Sequence, residues 1–219
     1  MFNIIFPLVL LFWGFVISIF LCFPFISKGY IYLYGAFGEW RALSALKKEL
    51  PDSYHIFANV KIHENMEADL VVVGPSGVYD VEVKNYKGRI EGDAESKGWT
   101  LHKIGRDGGV YEKGIKNPLG QLKRNIYILS KYLKIKGSPA WVNGVVFFVN
   151  ENASFSHEVL NQRECFMDAG SLGDEIRKNE RCPSLSERQI NEICEVLEPC
   201  ISGKPAMRKV DFERETSRS

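Results

Sequence analysis

The chain is poor in the residues that usually announce a bound group. Its five cysteines, Cys22, Cys165, Cys182, Cys194 and Cys200, are odd in number, widely spaced and without a C-x-x-C pair. That speaks against a disulfide framework and against a thiolate zinc site, and it suits a reducing compartment. The four histidines, His55, His63, His102 and His157, are scattered with no ligand spacing. Internal repeats are absent. Net charge is nearly absent too, with 28 Lys/Arg against 27 Asp/Glu. A balance of that kind excludes no partner, because charge distribution rather than total charge steers a polyanion. Finally, no charged side chain occurs before Lys28.

What fills that uncharged stretch is the run MFNIIFPLVLLFWGFVISIFLCFPFIS. About 20 apolar residues cross the hydrocarbon core of a bilayer, so the run is long enough. A cleaved signal peptide would need a basic start, a shorter apolar centre and a small-residue cleavage site, and none is present. Phe20 and Leu21 are too bulky for a lipoprotein pattern at Cys22. The pattern predicts a retained transmembrane anchor over residues 1–28, with residues 2–26 in the bilayer. A juxtamembrane linker over 29–34 carries Tyr30, Tyr32 and Tyr34 as an interfacial belt. Lys28, Arg41, Lys47 and Lys48 lie on the C-terminal flank and no Lys or Arg precedes the run. The positive-inside rule then makes this a single-pass membrane protein with its C-terminal domain in the cytoplasm.

Beyond the linker the composition is globular. Residues 35–150 read as the core, 151–202 as a strand and helix extension, and 203–219 as a polar, disordered tail. Leu43, Leu46 and Leu50 recur at helical spacing up to Pro51. YHIFANVKI reads as a strand, and EADLVVV, the turn GPSG and VYDVEVK read as a β-hairpin. Arg89–Glu91 and GWTLHKI are short strands. Asn117 caps a helix with Pro118 at its first position and the stripe Leu122, Ile126, Leu129, Leu133. WVNGVVFFVN is a buried strand, ECFMD a weaker one, and a last helix starts at the Ser186 cap. This order predicts an α/β sandwich around a central mixed sheet.

Charge is uneven where the hairpin ends. From Phe37 to Glu82 there are 8 Asp/Glu against 4 Lys/Arg, and from Lys84 to Lys136 there are 13 Lys/Arg against 5 Asp/Glu. At the junction, alternation in DVEVK puts Asp80, Glu82 and Lys84 on one side. With Gly74–Gly77 as the loop, Asp69 faces Glu82, and two carboxylates opposed across a ladder repel. A solvated strand face with a Glu67–Lys84 cross-strand pair is one resolution. A divalent cation is another, since Mg²⁺ favours carboxylates, carbonyls and water. Glu39 falls on the Leu43/Leu46/Leu50 stripe, either as a first-turn glutamate favoured by the helix dipole or as a partnered polar group.

Several stretches together resemble the NERD (nuclease-related) domain, a family similar to the PD-(D/E)XK restriction-endonuclease-like nucleases. They are GEWRALSAL, ADLVVVGPSGVYDVEVKNYKGRI, GWT, NPLGQLKRNIYIL and VNGVVFFVN, and they span Gly35 to Val149. The resemblance implies an αβββαβ core and a metal-dependent nuclease hydrolysing phosphodiester bonds, of DNA in the first place, in DNA processing or defence, and the apolar run makes it membrane-anchored. The alternative is a non-catalytic, membrane-tethered nucleic-acid-binding or scaffolding module. The resemblance further implies that Asp69 and Glu82 are metal-binding acids, Lys84 the catalytic lysine, Glu39 the helix-borne glutamate and Gln121 the helix-borne glutamine. The ion would be Mg²⁺ or Mn²⁺, held by Asp69, Glu82, the carbonyl of Val83 and Glu39. Lys87, Arg89, Lys116, Lys123 and Arg124 would track the phosphate backbone. One departure is Ala68, where many relatives of the wider group place a proline before the acid.

Overall fold

The computed structural model describes residues 13, 33–105, 107–178, 182–201, 206–207 and 209–217. The chain divides into two compact units, Met1–Phe37 and Gly38–Ser219. Among the described residues no helix is long and apolar enough to cross a membrane. The anchor expected over residues 1–28 lies, apart from Trp13, outside them.

Residues 33–49 are helical, α1, and the second unit opens within this helix at Gly38. Three antiparallel strands follow, β1 (His55–His63), β2 (Met66–Gly74) and β3 (Gly77–Lys84). Next come β4 (Gly88–Glu91), β5 (Gly98–Ile104) and β6 (Val110–Lys116), then the helix α2 (Pro118–Ile135) and the strand β7 (Val142–Phe148). The remainder is β8 (Ala153–Phe155), α3 (His157–Leu160), β9 (Cys165–Phe166), α4 (Ala169–Arg177), α5 (Glu187–Leu197) and α6 (Lys209–Thr216).

The expected single central sheet is in fact two sheets. One is five-stranded in the order β1-β2-β3-β7-β9, and the other four-stranded in the order β6-β5-β4-β8. Both are mixed, since β7 runs parallel to β3 and to β9, and β8 runs parallel to β4. The stretch between β3 and α2 therefore forms a separate layer.

Helices cover both faces of the five-stranded sheet. Ala42 and Leu46 of α1, with Leu172 and Ile176 of α4, bury Leu70, Val72, Tyr79 and Val81. On the other face Leu129 and Leu133 of α2, with Ile190 and Ile193 of α5, bury Val71, Val73 and Val78. Double coverage is why β3 is buried along nearly its whole length, the carboxylates of Asp80 and Glu82 included. The caps form as their residue types dictate: Asn117 accepts from the Leu119 N–H at 2.9 Å, and Ser186 forms a capping box with Gln189. At Gly144 the bare backbone lets Leu122 and Ile126 of α2 lie directly on β7.

The C-terminal tail departs from expectation. Residues 209–216 are helical, and Phe212 is buried against the α2 face of the core. Backbone bonds from Ala206 to the Lys61 carbonyl and from Met207 to the Ile62 carbonyl tie this segment to edge strand β1. One aromatic finding an apolar surface outweighs the polar composition around it.

Gly88 links the two sheets and has a φ of +123°, in the region favouring glycine. A Cβ there would run into the backbone carbonyl of His102. Gly88→Ala is therefore expected to lower stability by about 2–4 kcal/mol, read as a shifted urea midpoint. An unchanged midpoint would show that the crossing from β3 to β4 is not tightly held.

Candidate active site

The hairpin turn sets the register. Gly74 pairs with Gly77 and Leu70 with Val81, as the loop length predicts. The ladder ends there, one step short of the expected Asp69–Glu82 pair. Asp69 instead accepts a hydrogen bond from the Val83 N–H through Oδ2, at 2.7 Å. A strand residue points its N–H and its carbonyl toward the same neighbour, so the Val83 carbonyl also faces the Asp69 side. The repulsion between the two acids is thus eased by parting the strands and inserting a side chain into the ladder.

Glu82 is almost fully buried. Its Oε1 accepts from Lys84 Nζ, and its Oε2 accepts from Gln121 Nε2 of α2 at 2.7 Å. The ion pair that forms is therefore Lys84 with Glu82 along one strand, rather than Lys84 with Glu67 across two. Asn117 caps α2 and also donates to the carbonyls of Asp93, Ala94 and Ser96, pinning the helix start that carries Gln121.

Burial, and then the charge of Asp69, push the Glu82 carboxyl up to about 7, against the pull of Lys84 and Arg124. The Asp69 carboxyl is also raised, by burial first. Burial alone would lower the Lys84 ammonium, but the Glu82 charge and hydrogen bond hold it above its ordinary value. The site thus contains a firmly protonated lysine beside carboxylates reluctant to ionise. Such carboxylates are ones a cation would relieve.

Glu39 lies within α1, six residues beyond the first described position of that helix rather than in a first turn, and its carboxyl is raised by burial and then by Asp69 and Glu67. It reaches this neighbourhood because Gly38 lies against Asn85, where a Cβ would stand 2.7 Å from the Asn85 Cβ. Among the described residues, however, no group of three or more His, Cys, Asp or Glu side chains is disposed to hold a metal ion. Glu39 accordingly does not join Asp69 and Glu82 in a three-carboxylate cage. The donors that remain are two carboxylates and a carbonyl. These suit Mg²⁺, which commonly binds one or two carboxylates and completes its shell with water and substrate phosphate.

The basic residues divide. Arg124 is exposed on α2 and its charge reaches Glu82. Arg89 is engaged by Glu91 at 2.8 Å. Lys87 and Lys116 are exposed, and Lys123 lies on a different flank of α2 from Arg124. Trp99 is a packing residue, buried, stacked on Phe148 and donating to the Asp93 carbonyl.

Two residues near the site had no role in the sequence reading. Asp80 is fully buried on the same side of β3 as Glu82, and neither carboxyl oxygen has a partner among the described residues. Alternation along DVEVK placed it on that side, but no sequence signal marks it as enclosed. Tyr86 follows Lys84 closely, and burial raises its hydroxyl pKa while the Lys84 charge lowers it.

Comparison with known proteins adds three findings. The family described as "Nuclease-related domain" matches residues 34–149. An uncharacterised protein of Bacillus anthracis is 31% identical over 98 residues, covering 42% of this chain and 43% of that protein's length. No solved structure matches the chain.

Proposed function

The chain belongs to the nuclease-related domain family, and from that premise we propose that it is a metal-dependent phosphodiesterase acting on nucleic acid, DNA in the first place. The observation that carries the reading is the grip on Glu82, a buried carboxylate held by Lys84 and by Gln121 beside the anchored Asp69. The order α1, β1–β3, α2, β7 supports a restriction-endonuclease-like core, with β4–β6 as an inserted layer.

Asp69, Glu82 and the Val83 carbonyl would hold Mg²⁺ or Mn²⁺. When bound, the ion polarises a phosphoryl oxygen and lowers the pKa of its water. Lys84, cationic throughout the neutral range, orients the attacking water and meets the negative charge that builds on the phosphoryl oxygens. Gln121 fixes the plane of the Glu82 carboxylate, and the Val83 N–H fixes that of Asp69. Arg124 adds positive potential at the rim, where phosphates of the same strand would pass.

The apolar N-terminal run supports a further part of the proposal, that residues 2–26 anchor the domain to a bilayer with its C-terminal side in the cytoplasm. A cysteine placed after Ser219 should resist membrane-impermeant labelling of intact cells, and rapid labelling would reverse the orientation.

The deciding experiment incubates the full-length chain with supercoiled plasmid. Nicked and linear products are expected with Mg²⁺ or Mn²⁺ and none in EDTA. No cleavage with any metal would leave a non-catalytic nucleic-acid-binding module.

A further inference from the structure

A groove of about 740 Å³ runs beside α2 away from the carboxylates, between that helix, the entry to β7 and the segment leading into α5. Lys123, Tyr127 and Lys131 form one stripe of α2, at spacings of four, and line one wall. Trp141, just before β7, contributes to the other wall. Trp141 is 66% exposed and Tyr127 59% exposed. Both rings are more open than covered, and among the described residues the only charged ones lining the groove are the two lysines. The Lys131 ammonium stands 5.9 Å from the centre of the Tyr127 ring, so cation and ring are presented together.

We propose that this groove binds single-stranded nucleic acid, with bases stacking on Tyr127 and Trp141 and phosphates meeting Lys123 and Lys131. Every base has a π-face, so such a platform takes single strands of any sequence and rejects a duplex, whose bases are already stacked. The placement supports continuity with the carboxylates. Gln121, which holds Glu82, precedes Lys123 by two residues on the same helix. At the rise of an α-helix, Tyr127 lies about 9 Å further along the axis than Gln121. At about 100° per residue the stripe lies about 200–280° round the helix from Gln121, so a strand leaving the site crosses the outer face of α2 to reach the lysines and the groove. The inference deepens the nuclease reading by naming a substrate form, a junction with a single-stranded flank.

The test reads binding rather than cleavage. Full-length wild type and the double variant Tyr127→Ala/Trp141→Ala are titrated in EDTA against a fluorescein-labelled oligothymidylate and a blunt duplex hairpin, by anisotropy. The double variant should bind oligothymidylate roughly 10- to 100-fold more weakly while the duplex changes by less than about twofold. Tyr127→Phe/Trp141→Phe, which keeps both rings, should retain most of the affinity. Lys131→Gln should flatten the salt dependence for the single strand by about 0.7 in log–log slope. Equal loss on both probes, or no loss, overturns the proposal. So does binding of a proline-rich peptide that the double variant loses while oligothymidylate binding is unchanged. Plasmid cleavage with no groove effect would sink the groove alone. Groove-dependent binding without any cleavage would sink the hydrolytic reading and leave the groove standing.

Discussion

Glu82→Gln is expected to lower metal-dependent cleavage by at least about 10²–10³-fold and, at the same time, to make the metal-free protein more stable above neutral pH. The two effects have one origin. Glu82 is buried beside Asp69 and ionises at about 7 in the fold, against an ordinary value of 4.5. Between those values the unfolded chain has released a proton that the folded chain still holds. Stability therefore falls as pH rises through that window and stays low above it. Glutamine stands for the protonated acid, keeps the shape and removes the window. The gain above neutral pH is of the order of 2–3 kcal/mol, and near the acid end it vanishes. In wild type, Mg²⁺ should recover stability at alkaline pH, by about 2.7 kcal/mol at a concentration 100-fold above its dissociation constant. Urea unfolding with Mg²⁺ or EDTA, at about pH 5 and about pH 8, reads both terms. Full cleavage by Glu82→Gln, or wild-type stability that does not change with pH, would remove Glu82 from the centre of the mechanism.

Asp80→Asn is expected to stabilise the protein without abolishing cleavage. Asp80 is fully enclosed, with no partner for either oxygen among the described residues. Burial first, then Glu82 and Asp69, hold its carboxyl well above the usual range. Folding near neutrality must therefore either return a proton to Asp80 or bury its charge. This raised acid also loses stability as pH rises from its unfolded value toward its folded one. Asparagine ends that dependence and should add more than about 1 kcal/mol at neutral pH, the worth of a single unit of pKa displacement. The advantage should shrink on acidification. Cleavage should fall far less than in Glu82→Gln, because Asp80 makes no hydrogen bond to Glu82, Lys84 or Gln121. A destabilised Asp80→Asn would mean that the carboxyl has an internal partner essential to folding. Cleavage lost as completely as with Glu82→Gln would place Asp80 in the mechanism.

Much of the site was legible because its signals are local. The turn between Gly74 and Gly77 fixes the hairpin register by residue count, and alternation puts Glu82 and Lys84 on one face. Asn117 and Ser186 declare their helices through their own side chains. Less legible were features that depend on another segment's edge or face. Strand β6 is exposed along almost its whole length and shows no apolar alternation, so only pairing with β5 makes it a strand. Phe212 sits in a polar tail, and only the surface left open beside α2 makes that tail a helix on the core. The pairing of Lys84 with Glu82 rather than Glu67 follows from the ladder stopping at Leu70 and Val81.

The residues and spacings alone therefore determined that an acidic hairpin end with a lysine would sit between two helices, and that these residue types suit a hard cation and a phosphate. Local chemistry is enough for that, because turn length, strand alternation and capping act over a few residues. Only the tertiary structure decided how deeply Glu82 and Asp80 are buried, which partner Lys84 takes, that Glu39 comes near Asp69 without completing a three-carboxylate group, and that Tyr127 and Trp141 flank one open groove. Each of these depends on which surfaces exclude water, and that is set by segments far apart in the chain.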